Sequence, residues 1–160
     1  MRFAMYALVI AGFAGLVVTM AIGLGWIPTE HKVAWHWQTA IWTVLLLLSA
    51  HTVVMFYFLA TGKQLRVLMQ ESGRPVNREY LLALRAFKSK VFPPLMLAIG
   101  TTIATFVIGA GVLVGSVPRV VHFGLAIVAL ISNAVAAARE FSYIRRNTRL
   151  IAAIERDYLE

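Results

Sequence analysis

The sequence predicts an all-α membrane protein: a bundle of four transmembrane helices, both termini cytoplasmic, with helices 2, 3 and 4 extended into the cytoplasm. Three observations predict it. Hydrophobic residues make up 60% of the 160-residue chain and charged residues 14%, where soluble domains are about 45–50% apolar. The apolar residues fall into four blocks, each able to supply the roughly 20 residues that cross a hydrocarbon core. The basic residues are gathered on one side of those blocks.

The first span covers about residues 3–26. Its apolar length exceeds the roughly 7–15 residues of a signal-peptide core, so it reads as a span and not as a cleaved leader. The second span covers about 38–61, and the segment after Thr61 continues the helix until Ser72-Gly73-Arg74-Pro75 breaks it. Asn77 then caps a helix that runs through Pro93-Pro94 into the third span, about 92–114. The fourth span, about 120–138, continues without Gly or Pro into the tail 139–160. The whole chain is one domain, with a cytoplasmic helical hairpin at 62–91 and a cytoplasmic helical tail. No internal repeat is evident.

Charge placement sets the expected orientation. Segment 62–91 holds Lys63, Arg66, Arg74, Arg78, Arg85, Lys88 and Lys90, and the tail holds Arg139, Arg145, Arg146, Arg149 and Arg156. The other two loops hold only Lys32 and Arg119. Twelve against two is a strong positive-inside bias, and it suits a bacterial inner membrane. The net charge of +8 is then topology, and no nucleic-acid partner is implied. Trp26, Trp35, Trp37 and Trp42 lie toward the outer ends of the first two spans, where an aromatic belt is expected.

Small residues suggest the packing seams. They are His122, Ala126, Ala129, Asn133, Ala136 and Glu140 on the fourth helix, Gly100, Ala104, Val107 and Gly111 on the third, and Ala4, Ala11, Gly15 and Gly25 on the first. At about 100° per residue, His36, Thr39, Thr43, His51, Val54, Tyr57 and Thr61 share one sector of the second helix. Trp42, Leu45 and Phe56 take the opposite side. The polar sector faces inward, because lipid would leave its groups without partners.

The candidate site residues are His36, His51, His122, Tyr57 and Asn133. His51 lies near mid-membrane at the depth of Asn133, where an ionisable side chain is by default a functional candidate. It could hydrogen-bond Asn133 as interhelical glue, ligate haem, meet a quinone or join a proton relay. His36 and His122 lie near the outer ends of parallel spans, which suits a haem b between helices 2 and 4 or a small metal site shared with His31 and Glu30. His36, His51 and His122 are therefore also the candidate metal ligands, with Met20 or Met55 as spare ones. Glu140 is placed at the cytoplasmic end of its span, so no carboxylate is expected inside the core, which argues against a proton-driven transporter. The chain has no cysteine, which excludes thiolate sites, and no P-loop, GxSxG or HExxH.

Two functions follow from different classes. One is a membrane subunit of a redox system, binding haem b or contacting quinone through its histidines. The other is a non-catalytic accessory or scaffold subunit, whose cytoplasmic extension docks protein partners, forms a homo-oligomer or meets anionic headgroups. A small-solute or ion transporter ranks third.

Overall fold

The computed structural model describes residues 2–159, all helical apart from short connections. Four helices follow in order: α1 Arg2–Leu24, α2 Lys32–Glu71, α3 Arg78–Leu113 and α4 Arg119–Leu159. Each is long and apolar enough to cross a membrane. Their neighbours in sequence are antiparallel, so α2 and α4 run the same way. One end of the assembly carries the short connections and the Trp residues; the other carries the basic extensions.

Local chemistry sets the helix ends. α1 and α3 both stop on a glycine at positive φ, Gly25 (+80°) and Gly115 (+76°). In α1 the Trp26 amide donates to Ala21 and the Gly25 amide to Ile22; in α3 Ser116 donates to Gly111 and Gly115 to Val112. These paired bonds satisfy the last carbonyls, and the left-handed residue they require favours glycine. Asn77 caps α3 by accepting from the Glu79 amide at 2.8 Å. Pro93 and Pro94 lie inside α3, as expected from the sequence.

The inward sector of α2 is as expected: Thr43, His51, Val54 and Tyr57 are buried, while Trp42 and Phe56 are 72% and 64% exposed. So is the face of α4, where Ala129, Asn133, Ala136 and Glu140 are buried. The small-residue seams assigned to the other two helices are displaced. α3 buries Val91, Leu95, Ala98 and Thr102 and leaves Gly100 and Val107 exposed. α1 buries Met5, Val9, Gly12, Thr19 and Ile22, not Ala4 or Ala11. Size alone did not place these faces; Gly12, Gly15 and Ala98 pack inward beside larger residues, while Ala4, Ala11 and Gly100 face outward.

The four helices form two hairpins, α1–α2 and α3–α4, related by an internal repeat. Positions 86 residues apart share burial: Met5 and Val91, Val9 and Leu95, Thr43 and Ala129, Ala50 and Ala136, Phe58 and Ile144. Packing follows the same twofold pattern. α1 lies on α2 as α3 lies on α4, α2 and α4 touch across the middle, and α1 and α3 do not meet among the described residues. The axis runs parallel to the helices, as in parallel-repeat membrane folds. The expectation of no repeat is corrected here; the repeat is one of burial more than of identity, so sequence similarity did not reveal it.

The extensions pack on themselves. Leu65, Met69, Leu84, Ile154 and Tyr158 form a second apolar cluster with Leu150, Ile151, Tyr80 and Leu81 at its edge. The 72–77 turn is tied to the end of α4. Tyr158 Oη accepts from the Asn77 amide at 2.8 Å and donates to the Pro75 carbonyl at 2.9 Å, and Arg74 donates to the Asp157 carbonyl.

Candidate functional site

Two polar levels lie inside the assembly. At the Trp end, His36 from α2 and His122 from α4 face one another, their ring centroids 6.2 Å apart and their planes at 89°. Each ring rests on a glycine of its own hairpin. A Cβ on Gly23 would stand 2.9 Å from His36 Cε1, and one on Gly109 would stand 3.0 Å from His122 Cε1. The glycines thus give the rings their room.

The repeat is tightest at this level. Thr19, Gly23, His36 and Ala40 correspond to Thr105, Gly109, His122 and Ala126, again 86 apart. His36 Nδ1 lies 3.0 Å from the Thr19 carbonyl. A carbonyl only accepts, so this nitrogen carries a proton. Thr105, the equivalent residue, has its backbone beside His122. His122 Nδ1 nonetheless is buried without a hydrogen-bond partner. Between the rings is a cavity of about 60 Å³, lined by Thr19, Met20, Ala40, Thr102, Phe106 and Ala126 among others.

The second level lies toward the basic end and is asymmetric. His51 Nδ1 is 2.8 Å from Glu140 Oε1, and Nε2 is 2.9 Å from Asn133 Oδ1. Asn133 Nδ2 donates to Thr102 Oγ1 at 2.9 Å and to the Ala129 carbonyl at 2.8 Å. His51 is 1% exposed and Glu140 0%. The repeat equivalents are unlike: Leu47 answers Asn133, Val54 answers Glu140, and Ala137 answers His51. Glu140 Oε2 is buried without a partner.

The expected pairing of His51 with Asn133 is present. Glu140, on the face of α4 expected to turn inward, meets His51 inside the core, which corrects the expectation of a carboxylate-free interior. Buried charge has to be paired, so an inward histidine at this depth was the signal that could have drawn Glu140 inward. Tyr57 packs edge-to-face on Phe58 at 5.4 Å and lies in the core away from the histidine pair. His31 and Glu30 are exposed in the α1–α2 connection. Among the described residues no three His, Cys, Asp or Glu side chains converge on one point.

Chemically, the two levels differ in what they leave free. Both ring nitrogens of His51 are engaged, whereas the outer pair has an uncommitted nitrogen and a cavity. No family model, curated protein or solved structure matches this chain.

Proposed function

We propose that the chain is the membrane subunit of an electron-transfer system, carrying haem b between its two hairpins with His36 and His122 as axial ligands. The observation that carries this reading is that the two rings face each other across the seam between the hairpins, beside a cavity that both of them line.

The surroundings suit such a group. His36 is oriented by the Thr19 carbonyl on its far nitrogen, the outer-shell contact that fixes most metal-bound histidines. Ala40 and Ala126, one turn inward from each histidine, leave a low-relief surface on both helices. The hairpins are closely packed within themselves and meet each other less extensively, so a planar ring enters at the seam between them. The cavity of about 60 Å³ accepts an ion as it stands; a macrocycle requires the hairpins to move apart. Bound there, haem iron would supply one-electron chemistry, and His36 and His122 would hold it. A quinone headgroup at the same cleft would use the same two histidines. The reading places the Trp end outside, the basic extensions and both termini in the cytoplasm, and the chain in a bacterial inner membrane.

Purified protein expressed with added haem tests it. A Soret band that shifts on dithionite reduction, lost in His36→Ala and His122→Ala and kept in His51→Asn, is the expected result. A colourless preparation would sink haem binding.

A second reading concerns the basic extension. Part of its apolar surface is buried in its own cluster, while Leu82 and Leu159 stay exposed, and the only salt bridge there among the described residues joins neighbouring Arg156 and Asp157. Lys88 lies near Arg66 with no acid between; burial first, then Arg66, lowers its pKa. Such unpaired cations suit anionic headgroups or an acidic protein partner.

A further inference from the structure

The hydrogen bonds around His51 count protons. Asn133 Nδ2 donates to the Ala129 carbonyl, which can only accept, so the amide orientation is fixed and Oδ1 faces His51. An amide oxygen also only accepts, so His51 Nε2 carries a hydrogen. The remaining contact, Nδ1 to Glu140 Oε1 at 2.8 Å, needs one proton, on nitrogen or on oxygen. With that proton the pair is neutral overall. Without it two lone pairs face each other and a net negative charge lies in an apolar core, an expensive state.

We infer that His51 and Glu140 form a binding site for a single exchangeable proton, loaded and unloaded from the basic end of the assembly through Glu140 Oε2. This inference does not rest on haem at the outer level. Oε2 is buried and unpartnered, where a purely structural tie would occupy both oxygens. A second buried orphan is the hydroxyl of Tyr6 on α1, whose ring packs edge-on against Phe141, the neighbour of Glu140, at 5.0 Å. The opposite side is closed. There Nε2–H is locked to an amide, and the amide to Thr102, neither of which passes a proton onward without tautomerising.

No other charge competes. Over the facing stretches α1 offers Tyr6, α2 His51 and Tyr57, α3 only Lys88 and Lys90 at the level of Tyr143, and α4 Arg139, Glu140 and Tyr143, with Arg139 and Lys90 exposed. The nearby cavity of about 180 Å³ between α1 and α4 is lined by Val9, Ile10, Phe13, Ala14, Ala137 and Phe141. It is apolar and offers water no partner, which leaves the Tyr6 side as the route.

The full-length protein in detergent, labelled with ¹⁵N-histidine and ¹³C-glutamate, tests the inference. His51 is assigned by the loss of its signals in His51→Asn. The expected result is an Nε2 that stays protonated at every pH, with an Nδ1 signal and a Glu140 carboxyl infrared band that change together. Glu140→Gln, whose amide donates to Nδ1, should abolish that response. Tyr6→Phe should leave the equilibrium in place and slow hydrogen–deuterium exchange at Nδ1 by about tenfold. A wild-type pair whose signals do not change with pH overturns the site, and this reading needs no variant to fold. Unchanged exchange in Tyr6→Phe overturns the route.

Discussion

The outer and inner levels of this protein are built on the same four helices and on the same repeat, yet they treat polar groups in opposite ways. At the Trp end the two hairpins present matched residues, and a His122 nitrogen is left without a partner beside a cavity. At the inner level the repeat gives way to unlike residues, and nearly every hydrogen-bonding atom is used. A matched pair facing across an axis suits a ligand shared equally by two halves. An unmatched donor and acceptor suit each other. The difference teaches that symmetry in this fold is kept where the hairpins leave a cavity between them and lost where they hold one another.

The comparison can be broken most severely at Glu140. Glu140→Ala leaves His51 facing a void, and removing one partner of a buried pair costs about 3–5 kcal/mol. Thermal unfolding in detergent should show that loss, while Glu140→Gln stays close to wild type. Next in size is Asn133→Leu, which installs the residue its repeat equivalent Leu47 already has. It strands the His51 Nε2–H, at about 1–3 kcal/mol, and should leave the outer level untouched in any ligand titration.

Gly23→Val and Gly109→Val sharpen the other side of the comparison. Each drives a side chain into a histidine ring, an overpacking worth about 1–3 kcal/mol. If the repeat is functional, the two should weaken haem binding alike, and a clear inequality between them would argue against a shared axial pair. The smallest effect is expected outside both levels. The Tyr80 hydroxyl bonds Asp157, which lowers the Asp157 pKa, with Arg156 and Arg74 assisting. A depressed carboxyl stabilises above its ordinary range and loses that contribution as pH falls through the lowered value. Acid should therefore loosen the end of α4, seen as faster amide exchange near Tyr158, and Tyr80→Phe should remove most of that pH dependence.

Much of this fold was legible in the sequence. The four long apolar helices, the breaker at 72–75, the Asn77 cap and the unbroken fourth helix each rest on local chemistry that needs no partner. The inward sector of α2 was legible too, because a cluster of His, Thr and Tyr in an apolar helix has only one tolerable direction. Misreadings came where two helices had to be considered together. Gly100 and Ala11 resembled seam residues on their own helices, but seams are decided by the facing helix. Glu140 lies two residues beyond the expected end of its span, on the face expected to turn inward, but nothing local showed that a histidine 89 residues away would meet it.

What the sequence by itself determined is the set of four helices, their lengths and the polar stripe on the second, since hydropathy and helix-breaking residues act along the chain. Only the tertiary structure decided that His36 and His122 face each other over two glycines, that the hairpins repeat at an offset of 86, and that Glu140 meets His51. Those facts depend on how one helix turns its face to another. That rotation is set by packing between residues far apart in sequence, where no period along a single helix can record it.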